Sequence, residues 1–140
     1  MRITALAIPF LAIALSACQP SENVTSASPM DSLKNSQWQF VSLNGLPPVQ
    51  VDRSELVFEG DRIAGSTGCN RFSGSYSMTD GKLTANQPLA LTQMACAGAV
   101  NQQEQTMMEM LSGPLSVSID GQGQLVLTGA EHKAVLRRKG

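Results

Sequence analysis

The chain has 140 residues, with ten Lys and Arg against eleven Asp and Glu and a formal net charge of −1. So balanced a charge gives no electrostatic footprint for nucleic acid, and no nucleic-acid partner is expected. An apolar fraction of 42% is enough for one compact core at this length. The single histidine, His132, excludes any site that needs two.

The N-terminus reads as an address. Arg2 and the free amine precede an almost unbroken apolar run from Ile3 to Leu15, thirteen residues interrupted by Pro9. A spanning helix needs roughly 20 residues, so the length suits a signal-peptide core instead. Leu15-Ser16-Ala17-Cys18 then resembles the lipobox of bacterial lipoproteins. The resemblance implies that residues 1–17 are removed as a signal peptide and that Cys18, diacylated with palmitate-type chains, becomes the new N-terminus. Two acyl chains on one residue make a stable anchor, at about 0.8 kcal/mol per buried methylene. Gln19, standing where an aspartate would retain the protein at the inner membrane, implies by the same resemblance export to the outer membrane. The expected partner is therefore the membrane, through Cys18, with the domain on the periplasmic side. Residues 18–35 are rich in Ser, Asn, Thr and Pro and show no periodicity, which predicts a tether. The folded unit is expected over residues 36–140.

Short strands separated by turn signals follow. Trp38 to Leu43 reads as the first, closed by Asn44-Gly45 and Pro47-Pro48. Glu55 to Phe58 and Arg62 to Ser66 flank the turn Glu59-Gly60-Asp61. Phe72 to Ser77 and Lys82 to Ala85 flank Asp80-Gly81. Leu115, Val117 and Ile119 alternate with serines, as in a half-buried strand. Gln124 to Thr128 and Lys133 to Arg138 complete the set. This spacing predicts an antiparallel sheet or barrel.

One segment differs. Asn101 to Leu111 holds good helix formers, with Asn101 as a capping residue, Glu104 at the capping-box position and Gly113-Pro114 as a stop. Val100, Met107, Met108 and Leu111 fall near one face. The predicted fold is α+β, a mostly antiparallel, curved, barrel-like sheet with one helix lying across it or plugging an end.

With Cys18 acylated, Cys69 and Cys96 remain as an even pair in an exported domain, which points to a disulfide over 26 intervening residues. A thiol-exchange site would instead require the close C-x-x-C spacing at a helix N-terminus that lowers one thiol pKa.

The run Gly68-Cys69-Asn70-Arg71-Phe72-Ser73-Gly74-Ser75-Tyr76, followed by Leu89-Ala90-Leu91-Thr92-Gln93-Met94-Ala95-Cys96, resembles the signature of the META domain, the family of HslJ-like heat-shock proteins. Trp38, Leu43-Asn44-Gly45, Glu104 and Leu111 support the match outside that stretch. The resemblance implies a curved antiparallel barrel with one packed helix, and a role in heat-shock and envelope-stress tolerance and in sensitivity to some antibiotics, without an enzymatic activity or a cofactor. The motif residues read as folding residues. Gly65, Gly68 and Gly74 permit turns or close backbone approach. Asn70 suits a left-handed turn or a bond to nearby backbone. Phe72, Tyr76, Leu89 and Met94 read as core, and Thr92 belongs to the same motif.

Other chemistry is poorly supplied. His132 sits in the turn before the last strand and reads as a solvated loop residue. No G-x-S-x-G marks a serine, and Asp52, Glu55, Glu59 and Asp61 flank a hairpin where charges face solvent. The sequence has no H-x-x-H and no acidic calcium loop, so no metal is expected. Met107, Met108 and Leu111 could line a cavity for a small hydrophobic ligand between sheet and helix, since thioethers adapt to irregular apolar shapes; the plainer reading makes them core. Arg137-Arg138-Lys139 reads as a solvated terminus on an edge strand, where charge discourages aggregation. The resulting expectation is a non-enzymatic, lipid-anchored envelope protein that binds or supports an envelope component. Its alternatives are a hydrophobic-ligand carrier and, least favoured, a thiol oxidoreductase or hydrolase.

Overall fold

The structure, a computed structural model, describes residues 28–140. The signal segment, Cys18 and the first part of the tether lie outside the described residues. Nine strands and two helices follow in chain order: α1 (Pro29–Leu33), β1 (Ser36–Leu43), β2 (Ser54–Glu59), β3 (Arg62–Thr67), β4 (Arg71–Thr79), β5 (Lys82–Ala85), β6 (Ala90–Leu91), α2 (Gly98–Ser112), β7 (Leu115–Ile119), β8 (Leu125–Thr128) and β9 (Lys133–Arg138). A single 3-10 turn, Val51–Arg53, precedes β2.

Every pairing between strands is antiparallel, in the order β3-β2-β1-β9-β8-β7-β5-β4, and β4 pairs back onto β3. The sheet is thereby an eight-stranded closed barrel. β6 pairs with β4 beyond β5, Ser73 opposite Ala90, so β5 and β6 lie in line along one edge of β4. Closure removes the free edges that an open sheet would present. Because β9 lies between β1 and β8, the basic C-terminal run is not on an edge strand, contrary to the sequence expectation. Its charges are tied to the wall instead. Arg137 donates to Gln39 Oε1 at 3.1 and 2.6 Å, the Arg138 guanidinium lies 5.6 Å from the Trp38 ring centroid, and Lys139 Nζ reaches Glu55 Oε2 at 2.7 Å.

Alternation sorts the side chains to two faces. Trp38, Phe40, Leu56, Phe58, Ile63, Leu83, Leu115, Leu125, Leu127 and Leu136 point inward and are fully or almost fully buried. At eight strands the interior of a barrel is just wide enough to be filled by its own side chains. The Phe58 and Tyr76 rings meet edge to face at 5.2 Å within this core.

Both ends of the barrel are closed. β1 rises from Ser36 to Leu43, so α1 lies at the lower end, where Leu33 is completely buried. The folded unit therefore begins upstream of Ser36, in a stretch whose polar composition predicted a tether. One leucine entering the core decides it, and Ser28 caps the short helix through its hydroxyl to Met30 N. α2 closes the upper end, with Gln103, Met107, Met110 and Leu111 buried. The predicted helix thus forms, three residues longer at its start, but its inward stripe includes a glutamine and excludes Val100. Its first residue is also different: Ala97 occupies the N-cap with no side-chain bond, and Glu104 is turned away from the helix terminus.

Candidate functional site

The motif residues meet at the upper end, where the β3–β4 turn, the segment before α2 and the helix converge. Asn70 is 3% exposed and is the hub. Its Oδ1 accepts from Thr92 Oγ1 at 2.9 Å and from Met94 N at 2.7 Å. Its Nδ2 donates to Met94 O at 3.2 Å and to Glu104 Oε1 at 3.1 Å. Glu104 Oε2 in turn accepts from Thr67 Oγ1 at 2.7 Å and from Asn70 N at 3.3 Å. The carboxylate is therefore drawn from the capping position to the two donors that the β3–β4 turn offers. Cys69 and Cys96 are disulfide-bonded, Cα atoms 6.2 Å apart, and join the same two segments covalently.

Gln103, the preceding residue of α2, performs a parallel task. Its Nε2 donates to Thr67 O at 2.6 Å and Ser54 Oγ at 3.0 Å, and its Oε1 accepts from Val49 N at 2.6 Å. The glutamine pins the β1–β2 connection and the ends of β2 and β3 to the helix. Glycines make the close approaches possible. Gly68 has φ +98°, and a Cβ there would stand 2.9 Å from Gln103 Nε2. A Cβ on Gly65 would overlap the Glu55 carbonyl and the Phe72 ring, and one on Gly74 would meet Leu89 Cδ2 at 2.5 Å.

Phe72, Tyr76 and Leu89 are core residues, as the sequence predicts. Met94 is not: its side chain is 57% exposed. What the motif uses at this position is the backbone, whose N–H and C=O both face Asn70, and that orientation turns the side chain out. Met107 and Leu111 belong to the core and Met108 packs on its margin, so these side chains fill the space between sheet and helix.

His132 is also placed differently from the expectation. Its side chain is 18% exposed and both ring nitrogens are engaged. Asn44 Oδ1 accepts from Lys133 N at 3.0 Å, which fixes the amide and aims Nδ2 at His132 Nδ1, 3.0 Å away. Nδ1 is then the acceptor, and Nε2 faces Glu109 Oε2 at 3.3 Å. The imidazole links the β1–β2 connection, the β8–β9 turn and α2, and neither nitrogen is left to activate a serine.

The outer wall carries a groove of about 580 Å³ whose lining includes Val57, Ala64, Ser73, Ala90, Arg62 and Arg71. Nothing in the sequence taken one strand at a time marks it, because its residues come from five strands and meet only through the register of the barrel.

A closed antiparallel barrel with a helix over one end, clamped there by a disulfide and a buried asparagine bonded to a half-buried glutamate, defines a small single-domain class in which the motif serves the fold. Within that class the comparisons are specific. The META domain matches residues 31–140, and the chain belongs to the META domain family. It is similar to the heat shock protein HslJ of Escherichia coli (strain K12), 31% identical over 124 residues, which cover 86% of this chain and 85% of that protein. A protein solved by NMR is 33% identical with a TM-score of 0.65, covering 78% of this chain and 92% of the other. A second NMR structure, of a protein from Burkholderia xenovorans, shares the fold at 21% identity and a TM-score of 0.64, covering 94% and 99%.

Proposed function

We propose that the chain is a lipid-anchored protein of the bacterial cell envelope. It is held to the outer membrane through Cys18 with its barrel in the periplasm, and it supports tolerance of heat and envelope stress by holding another envelope component. It acts by binding and transforms nothing. The observation that carries this reading is where the reactive groups are used. Glu104 and Asn70 are committed to each other, both nitrogens of His132 are bonded, and Cys69 is bridged to Cys96. The barrel interior is filled by its own side chains, and the outer wall offers a concave face. The name of the Escherichia coli relative supports the link to heat stress.

The carrier alternative is favoured by the same groove, with its ligand on the outer wall and not between sheet and helix.

The test is replacement of the gene in its own host by wild-type, Cys18→Ser and Ala64→Trp forms, with survival at high temperature as the readout. Feeding an alkynyl palmitate reports acylation. The expected result is that Cys18→Ser loses the label and leaves the membrane fraction, and that Ala64→Trp stays folded and anchored but loses heat survival. A label that persists without Cys18 removes the anchor. Full survival of both variants removes the binding role.

A further inference from the structure

We propose that the outer groove binds an amphiphilic carboxylate, with the head group at Arg71 and the acyl chain laid across Ala90, Ser73, Ala64 and Val57. The proposal rests on the outer wall being the binding face and names the class of ligand.

Register creates the shape. Gln37 pairs with Val57, Val57 with Ala64, Ala64 with Ser73, and Ser73 with Ala90. One transverse row of small or short side chains, Val57, Ala64, Ser73 and Ala90, therefore crosses four strands, about 14 Å at the usual interstrand spacing, and Gln37 closes it on β1. Two residues away on the same face stand longer side chains, Glu55 on β2 and Arg71 on β4 at one side with Ser66 between them, and Glu59 on β2 and Arg62 on β3 at the other with Ser75 beyond. A low floor flanked by these longer side chains is a channel that runs across the strands.

Charge gives the channel a direction. Glu55 is already paired with Lys139 at 2.7 Å. Glu59 stands opposite Arg62 in register across the β2–β3 hairpin, so a carboxylate faces that arginine although the two are not within ion-pair distance. Arg71 has no carboxylate within ion-pair distance among the described residues, and its register partner is the neutral Ser66. A guanidinium with no carboxylate opposite it in register thus stands at the β4 end of an uncharged row, with the Ser73 hydroxyl beside it. The planar fork of an arginine matches a carboxylate through two parallel hydrogen bonds.

The floor also decides what the body of the ligand is. β2, β3 and β4 are each paired on both sides beneath the row, so their backbone groups are already bonded. A peptide laid across them would find no ladder partners for its own N–H and C=O groups. An acyl chain has none to satisfy and gains from covering Val57, Ala64 and Ala90.

The test uses the full chain purified from its own membrane in a maltoside detergent, with diazirine-bearing palmitic acid as the probe. The expected result is photolabel on peptides from β2 to β4, displaced by excess laurate and not by dodecanol. Arg71→Gln should lower labelling about tenfold, the loss of one charge-assisted contact. Arg62→Gln should change it about twofold at most, because Glu59 faces it in register and disfavours an anion there. Both arginines are on the surface, so unchanged melting confirms that the variants fold. Label on other segments, indifference to Arg71→Gln, or equal displacement by dodecanol would each overturn the proposal. If Ala64→Trp costs heat survival while palmitate never labels the groove, the acyl ligand fails and the outer wall stands as a binding face. If palmitate labels the groove and Ala64→Trp costs no survival, the site stands and the stress role of that wall fails.

Discussion

Asn70 and Glu104, 34 residues apart in the chain, form a two-point contact: Asn70 Nδ2 donates to one carboxylate oxygen and Asn70 N to the other, at 3.1 and 3.3 Å. The pair fastens the β3–β4 turn to α2, and Asn70 extends the hold to Met94 through two further bonds. Removing one partner of a buried network leaves the others desolvated and unpaired, which costs about 1–3 kcal/mol per group. Asn70→Ala is therefore expected to lose about 3 kcal/mol, and Glu104→Ala about 2 kcal/mol, in chemical denaturation. The double variant should lose less than the sum, because the same contact is removed in both. Strict additivity in that cycle would show that the two side chains act separately.

The glycines allow a sharper comparison. Gly68 combines a left-handed φ of +98° with close contacts for any added Cβ, 2.9 Å to Gln103 Nε2 and 3.0 Å to Gln50 Cβ, whereas Gly121 has an ordinary φ and nothing within 4 Å. Gly68→Ala should destabilise by about 2 kcal/mol, from backbone strain and the displacement of Gln103. Gly121→Ala should stay within about 0.5 kcal/mol of the parent. Thermal melts of the two variants side by side decide the matter, and equal midpoints would refute the steric account.

Strands were legible in the sequence because the hairpin turns are written in local residues: Asp80-Gly81 and Gly60 carry positive φ where turn chemistry predicts it. The helix was legible for its composition. What escaped the sequence depends on partners distant along the chain. Leu33 looks like one of a few scattered apolar residues in a polar stretch until the end of the barrel receives it. Gln103 is polar and would be assigned to the outer face, yet three acceptors and donors from other elements meet it inside. Glu104 fits a capping box, but Thr67 and Asn70 compete for its carboxylate and win. Met94 is a large apolar residue within the motif, and only the Asn70 contacts to its backbone reveal that the side chain is turned out. The outer groove exists solely through cross-strand register.

The disulfide lies in the same upper clamp but is not its only fastening, since Asn70 still joins the two segments when the bridge is open. Reduction is expected to leave the barrel folded and to cost roughly 3 kcal/mol, the loop-closure value for a crosslink of this span. For a domain of this size that lowers the melting midpoint by about 10 °C or more. Melts with and without a phosphine reductant measure it, and circular dichroism at room temperature should not change. An unaltered midpoint would mean that the hydrogen-bonded clamp alone sets the stability of this end.

Tyr76 gives the barrel a defined weakness in alkali. Burial raises its phenol above the usual value of 10.0, and the negative charge of Asp61 adds to the shift. The hydroxyl donates to Gly60 O at 3.1 Å, a bond that only the protonated form makes. Because the folded-state value is the higher one, the protonated phenol favours the fold. That contribution is fully present below pH 10 and is lost as the pH rises from there through the folded-state value. Tyr76→Phe keeps the edge-to-face contact with Phe58 and removes the titration. The wild type should therefore lose stability more steeply than Tyr76→Phe above pH 10, while below it the two curves should run parallel, the variant lower by about 1 kcal/mol for the lost hydrogen bond. Urea midpoints measured from pH 8 to 11 provide the comparison. Parallel curves across the whole range would place the alkaline titration at other groups.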